Sequence, residues 1–257
     1  MEKEREEQVI SLCQKLIQQK SYSGEESGVV GVLSENMKQM GFDEVTVDKY
    51  GNIIGCIKGN RPGKKVLFDG HIDTVPVTEE AEWLYPPFAA EIHDGKIYGR
   101  GTSDMKGAVA AMTCAASNYA KDTGKDFAGE IYVAGVVHEE CFEGVAAREI
   151  SKSVRPDYVV IGEASQLNLK IGQRGRAEIV IETFGKPCHS ANPEKGINAV
   201  YKMAKVIGAI RTLVPTHHPV LGDGILELTD IKSAPYPGAS VVPEYCRATY
   251  DLSLIHI

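Results

Sequence analysis

One histidine and several acidic residues recur along this chain directly after apolar runs that are typical of β-strands. The runs and the polar residues that follow them are 66–68 with His71 and Asp73, 131–137 with Glu139 and Glu140, and 158–161 with Glu163. In open α/β sheets the functional crevice lies outside the carboxyl ends of the strands, so we expect these side chains to converge. The pattern predicts an α/β fold with one polar site at that end of the sheet.

The residue types at these positions predict a metal site. A neutral imidazole and hard carboxylate oxygens suit zinc, and catalytic zinc sites keep one position open for water. Several carboxylates in one place repel each other unless cations neutralise them, and a carboxylate can bridge two metals about 3.5–4 Å apart. Asp104 is the candidate bridge, because it ends a glycine-containing loop at 99–104 that opens onto a helical stretch at 107–112.

Backbone geometry suggests two further roles. His71 and Asp73 are two residues apart on an extended segment and point to the same side, so Asp73 can accept the second ring proton of the histidine and fix its tautomer. Glu139 and Glu140 are adjacent, so we expect their side chains to diverge, one toward metal and one toward the water. The non-ligand glutamate would take a proton from metal-bound water and donate it to the leaving amine, with its pKa raised toward neutrality by its surroundings.

The chain resembles the dizinc metallopeptidases and amidohydrolases that include acetylornithine deacetylase, succinyl-diaminopimelate desuccinylase, aminoacylase and glutamate carboxypeptidase. The resemblance covers nearly the whole chain and rests on the segments 70–76, 99–107, 139–140 and 162–163. Segments 103–107 and 138–140 are most similar to the bacterial branch of selenium-metabolism-linked hydrolases.

The resemblance implies a role for each site residue. His71, Asp104 and Glu163 would bind one zinc, Asp104 and Glu140 the other, and Glu139 would be the general base. Cobalt or manganese could replace zinc. The resemblance also implies that the peptide bond after Asp104, to Met105, is cis.

The resemblance fails toward the end of the chain. The second metal in the family takes one more histidine from a distant C-terminal motif that this sequence does not contain, and an arginine is expected where Ser253 stands. His256 is a candidate replacement, although it directly follows the last strand pattern. We therefore expect a C-terminally truncated fragment, inactive by itself, with an unmatched tail at 252–257.

The pattern changes after Gln173 and predicts two domains. Residues 1–173 would form the N-terminal part of the metal-binding catalytic domain. Residues 174–251 follow a β-α-β-β order, which predicts a small α+β insert; the resemblance makes it an incomplete ferredoxin-like lid that also forms a homodimer. His189 matches the lid histidine of the family, which reaches the partner subunit's site and helps to hold the scissile carbonyl. The segment 22–25 resembles the family's N-terminal loop near the site and is equally typical of a helix cap.

Composition excludes several classes of function. A net charge of −7 and a pI near 5.6 argue against nucleic-acid binding, which needs a basic face. The six cysteines are scattered without a Cys-x-x-Cys pair, which indicates reduced thiols and a cytoplasmic protein. The sequence opens with charged residues rather than a signal peptide, and no apolar run approaches the length of a membrane span.

These observations predict a cytoplasmic, metal-dependent hydrolase of an amide bond in a small N-acyl amino acid or dipeptide-like substrate whose identity the sequence does not give. The alternative is a non-catalytic metal-binding and dimerisation protein of the same fold. A third hypothesis is a cysteine hydrolase that uses Cys188 and His189. Adjacent residues on an extended segment face opposite ways, which argues against that pair.

Overall fold

The computed structural model describes residues 2–142 and 144–254, so the candidate ligand His256 lies outside the described residues. The chain divides into two compact units, Met1–Leu167 and Asn168–Ile257. The division falls at 167 rather than at the expected 173.

The first unit contains four helices and seven strands within its described residues. They are α1 (Glu2–Gln18), α2 (Ser27–Gln39), β1 (Glu44–Val47), β2 (Ile53–Lys58), β3 (Arg61–His71), β4 (Glu91–His93), β5 (Lys96–Tyr98), α3 (Gly107–Thr123), β6 (Ala128–Val136), α4 (Val145–Val154) and β7 (Tyr158–Ile161). The alternation of helices and strands is the mixed α/β order that the sequence predicts.

Strands β1, β2, β6, β3 and β7 form one mixed sheet in that order. The pairs β1–β2 and β2–β6 are antiparallel, whereas β3 is parallel to both β6 and β7. The three parallel strands therefore end at the same edge of the sheet. β4 and β5 form a separate antiparallel pair.

The apolar spacing of the helices explains how they cover this sheet. Leu12, Leu16 and Ile17 of α1 recur at helical spacing and are buried. In α2 the same spacing buries Leu33 and Met37, and the helix ends before Gly41, which has a φ of 89°. These side chains share one core with residues of β2, β3, β6 and α3.

The edge strand β7 differs from the rest of the sheet. Its four side chains, Tyr158, Val159, Val160 and Ile161, are 46–61% exposed. A strand with unpaired backbone groups and exposed apolar side chains is a surface on which sheets associate.

The second unit is a small α+β structure. Its elements are β8 (Gly175–Phe184), α5 (Ala199–Ile210), β9 (His217–His218), β10 (Gly222–Asp223), β11 (Ile225–Ala234) and β12 (Tyr245–Leu254). β12 lies between β11 and β8 in an antiparallel sheet, and α5 buries Ala199 and Met203 against Cys246, Ala248 and Tyr250. The order β8-α5-β11-β12 is the predicted β-α-β-β pattern, with a short β9–β10 pair added before β11.

Among the described residues, no helix is both long and apolar enough to cross a bilayer. All six cysteines are free thiols.

Candidate metal centre

His71 is the last residue of β3 and is almost fully buried. Its Nε2 atom lies 2.9 Å from Oδ1 of Asp104 and 3.6 Å from Oε1 of Glu163. Glu163 follows β7, the parallel neighbour of β3, so the sheet topology accounts for their approach. The structure thus brings together the three residues that the resemblance assigns to one metal.

The other ring nitrogen of His71 faces Asp73. Nδ1 lies 2.9 Å from the backbone carbonyl oxygen of Asp73 and 3.5 Å from its carboxylate Oδ1. The carbonyl is therefore the nearer acceptor for the ring proton, although the carboxylate was the expected one. A hydrogen bond at Nδ1 leaves Nε2 available as a metal ligand.

The Asp73 carboxylate is fully buried and binds three other donors. Oδ1 accepts the backbone N–H of Glu139 at 3.1 Å, and Oδ2 accepts that of Glu140 at 3.1 Å and the Ser23 hydroxyl at 2.7 Å. Burial alone would raise the pKa of Asp73, but the interaction with His71 and the hydrogen bonds from Ser23, Glu140 and Glu139 outweigh it and lower that pKa.

Asp104 lies in an irregular helical turn, Thr102–Lys106, that leads directly into α3. The peptide bond between Asp104 and Met105 is cis, as predicted. Lys106 is completely buried, and its Nζ donates to the carbonyl oxygens of Leu16 at 3.0 Å and Gln19 at 2.8 Å. Burial lowers the pKa of Lys106 to about 8. These bonds fix the Asp104 turn to the end of α1.

Glu139 and Glu140 lie in a turn after β6, the other parallel neighbour of β3. The Asp73 carboxylate accepts both of their N–H groups, and these hydrogen bonds hold the backbone in the turn. A carboxylate oxygen of Glu140 lies within 4.8 Å of ligand atoms of His71 and Asp104, and one of Glu139 within the same distance of His71 and Glu163. Either glutamate is therefore within reach of a metal held by His71.

The acidic side chains of this centre are electrostatically crowded. Burial raises the pKa of Glu140 and of Glu163, and the neighbouring Asp104 carboxylate raises both further. Burial lowers the pKa of His71, but Asp73, Asp104 and Glu163 outweigh it and raise that pKa to about 10. A cation would relieve the repulsion among the carboxylates and displace the imidazole proton. The donor set, one imidazole and several carboxylates, fits zinc, cobalt or manganese.

Two acids near the centre escaped the sequence analysis, the partly buried Asp69 and the buried Glu26. Asp69 lies two residues before His71 on β3; burial and the Glu163 charge raise its pKa to about 6, and its Oδ1 has no hydrogen-bond partner within the described part of the chain. Residues 69, 71 and 73 alternate along an extended segment, so the sequence could have placed Asp69 on the same side as His71. Glu26 precedes α2, and its carboxylate accepts the backbone N–H of His138 at 3.1 Å. No local pattern indicates that contact, which joins residues 112 positions apart.

The predicted lid histidine lies in the second unit. His189 is exposed, and its Nδ1 accepts the N–H of Ala191 at 3.1 Å. The thiol of Cys188 instead donates to the carbonyl oxygen of Asn192 at 3.4 Å. The side chains of Cys188 and His189 therefore have separate hydrogen-bond partners.

A cavity of about 330 Å³ adjoins two of the candidate metal ligands in the first unit. Asp104 and Glu140 form part of its wall, together with Trp83, Tyr98 and Arg100. The Arg100 guanidinium lies over the Trp83 ring, 5.1 Å from its centroid. A small molecule could approach the carboxylates through this cavity.

The fold and the centre define a mixed α/β protein with a carboxylate-rich group of possible metal ligands at the ends of parallel strands. The family model for peptidase family M20/M25/M40 matches residues 67–225, more than half of the chain. The chain belongs to this family.

Known proteins of similar sequence and structure agree with this assignment. Uncharacterized protein YgeY of Escherichia coli strain K12 is 35% identical over 238 residues, which are 91% of this chain and 58% of YgeY. Succinyl-diaminopimelate desuccinylase 2 of Ruegeria sp. strain TM1040 is 29% identical over 256 residues, 95% of this chain and 64% of that protein. The chain thus spans about three-fifths of these curated relatives.

The fold matches that of a solved M20 family metallo-carboxypeptidase, Sso-CP2 of Sulfolobus solfataricus. The TM-score is 0.74 at 16% sequence identity, over 96% of this chain and 71% of the other.

Proposed function

We propose that this chain supplies a dizinc centre to a hydrolase that cleaves an amide bond in a small N-acyl amino acid or dipeptide-like substrate. One observation carries the proposal: His71, Asp104, Glu140 and Glu163 converge at the ends of parallel strands, with Glu139 beside them. The names of two of the proteins compared above, a desuccinylase and a metallo-carboxypeptidase, both point to amide-bond hydrolysis.

His71, Asp104 and Glu163 would hold one zinc, and Asp104 and Glu140 the second. When bound, zinc would polarise the substrate carbonyl and lower the pKa of a water molecule. The pKa of Glu140 and of Glu163, raised in the metal-free chain, indicates that these carboxyls gain from a nearby cation. Asp73 holds His71 in the tautomer that leaves Nε2 free for metal.

Glu139 is the proposed general base. It would take one proton from the attacking water as the oxygen bonds to the carbonyl carbon, and it would pass that proton to the nitrogen as the C–N bond breaks. The products are a carboxylic acid and an amine, and at neutral pH the acid gives up its proton and the amine takes one, which leaves a carboxylate and an ammonium. We assign residues 174–251 to a lid that dimerises, and His189 to the stabilisation of the carbonyl oxygen as it becomes negative. The free thiols support a cytoplasmic location.

Because the chain by itself is expected to be inactive, the test uses a complete enzyme that contains this chain. The zinc-reconstituted enzyme is given a panel of N-acetyl and N-succinyl amino acids and dipeptides, and amine release is followed. We expect turnover that a chelator abolishes and added zinc restores. The alternative, a non-catalytic metal-binding protein, predicts stoichiometric zinc without amine release from any member of the panel. Light scattering during size-exclusion chromatography tests the homodimer.

A further inference from the structure

Glu26 is a buried acid whose carboxylate takes no part in capping its own helix. It directly precedes α2 and is 5% exposed, and its side chain makes no capping hydrogen bond. Its Oε1 instead accepts the N–H of Gly24 at 2.9 Å and that of His138 at 3.1 Å, and it lies 3.7 Å from Nδ1 of the His138 ring. A buried carboxylate used in this way stabilises the residue that it contacts, here the one directly before the glutamate pair.

His138 has a backbone conformation that needs such support. Its φ is 59°, in the left-handed region that residues with a Cβ atom rarely adopt. Three consecutive N–H groups then point at buried carboxylates, with His138 bound by Glu26 and both Glu139 and Glu140 bound by Asp73. These bonds define the turn, and the turn sets where the two glutamate side chains point.

The two carboxylates that hold the turn are connected through one short segment. Ser23 donates to Asp73 at 2.7 Å, and Glu26, three residues later, binds His138. The same segment is tied to the strand end that carries His71, because the N–H of Thr74 donates to the carbonyl oxygen of Ser21 at 2.9 Å. The segment 21–26 therefore contacts the chain after β3 and the chain after β6 together.

We propose that Glu26 is a positioning residue that holds the turn carrying Glu139 and Glu140. Without its acceptor, the N–H of His138 would be left unsatisfied in a partly buried place, and the left-handed residue would relax toward an ordinary conformation. The catalytic part of the inference rests on the function proposed above, whereas the effect on the turn and on metal binding does not.

Four variants separate positioning from general stability. Glu26→Met keeps the volume and removes the acceptor, and Glu26→Gln keeps an acceptor oxygen and removes the charge. Glu25→Met is the matched control, because Glu25 is the exposed neighbour. Val29→Ala creates a cavity in α2 at a fully buried position and serves as a control for lost stability. Should Glu26→Met fail to fold, Glu26→Asp replaces it, because the shorter side chain withdraws the acceptor while keeping the charge.

Three measurements are made on each variant. Hydrogen exchange by mass spectrometry on the metal-free protein reports the opening of 137–142. Zinc competition with a chromophoric chelator reports zinc affinity. Steady-state kinetics, measured on a complete enzyme that contains this chain, report kcat and KM separately.

For Glu26→Met we expect exchange in 137–142 to be faster by about tenfold, as the loss of one hydrogen bond implies. We expect zinc affinity to fall by about 10–100-fold. The kcat should fall by about 10²-fold with little change in KM. Glu26→Gln should stay close to wild type, Glu25→Met should not differ, and Val29→Ala should lose thermal stability without selective exchange in 137–142.

Equal exchange and equal zinc affinity in Glu26→Met and wild type would overturn the inference. So would an effect of Val29→Ala on this segment as large as that of Glu26→Met. A wild-type protein without turnover would contradict the proposed function only, since exchange and zinc binding still decide whether Glu26 holds the turn.

Discussion

The carboxylate of Asp73 binds the backbone of Glu140, with Oδ2 3.1 Å from the amide nitrogen. Asp73 thereby links two strand ends, because its carbonyl oxygen also lies 2.9 Å from Nδ1 of His71. One buried residue thus orients His71, the proposed ligand, and holds the glutamate turn. Its replacement should disturb both.

Asp73→Ala should lower thermal stability and zinc affinity together. The variant leaves the N–H groups of Glu139 and Glu140 without an acceptor, at a cost of about 1–3 kcal/mol for each that stays buried. Asp73→Asn retains one acceptor oxygen and should be intermediate. Thermal unfolding and zinc competition measure the two quantities, and both should decrease in the order wild type, Asp73→Asn, Asp73→Ala. The exposed Asp126→Ala is the control, and wild-type zinc affinity in Asp73→Ala would contradict the prediction.

Glu139→Ala and Glu140→Ala should differ in their effect on zinc content. In a complete enzyme that contains this chain, removing the proposed base Glu139 should leave zinc content unchanged and lower kcat by about 10²–10⁴-fold. Removing the ligand Glu140 should lower the zinc content itself. Metal analysis measures the zinc content of both variants, and steady-state kinetics measure their kcat. Because carboxylate oxygens of both residues lie near His71, loss of zinc in Glu139→Ala alone would show that the two roles are reversed.

The parts of the site that were predictable follow from strand direction. The ends of β3, β6 and β7 meet because these strands are parallel neighbours, and their apolar runs and the acids that follow them are visible in the sequence. The cis bond after Asp104 came from the resemblance and is confirmed. The β-α-β-β order of the second unit was predicted from the alternation of apolar and polar residues in its strands and from the helical spacing of apolar residues in its helix.

The parts that were not predictable depend on contacts between distant residues. Glu26 meets His138 across 112 positions, and Lys106 meets Leu16 across 90. Local periodicity carries no information about such pairs. The shape of the turn at Glu139 and Glu140 also depends on a distant residue, because the carboxylate of Asp73 accepts both of its N–H groups.

The stability of the metal-free protein should fall as pH rises from about 6.5 to about 10, through the contribution of His71. Its pKa is raised to about 10 in the folded chain from an ordinary value of 6.5, so the folded state binds the proton more tightly. The stabilisation is fully present below pH 6.5 and is lost as pH rises through about 10. Lys106, with its pKa lowered from 10.5 to about 8, contributes in the opposite direction between those values.

The difference between wild type and His71→Gln isolates the histidine contribution, because Lys106 is common to both. Chemical denaturation at several pH values in the presence of a chelator measures it. The difference should shrink with rising pH in metal-free protein. With saturating zinc that pattern should disappear, because a metal ligand must be neutral. A difference that is constant with pH in the metal-free protein would contradict the prediction.

Cys188→Ser should retain the activity of the zinc-loaded protein within about twofold, because a substitution away from the reacting groups leaves the transition-state interactions in place. The Cys188 thiol bonds to the carbonyl oxygen of Asn192, and His189 accepts from Ala191, so neither side chain activates the other. In a cysteine hydrolase the same change would remove the nucleophile and lower kcat by a factor on the order of 10⁶. Two measurements distinguish the metal mechanism from the cysteine mechanism. One is the kinetics of Cys188→Ser, and the other is the activity of wild type after chelation and after zinc is added back. A thiol-dependent activity that survives chelation would contradict the metal mechanism.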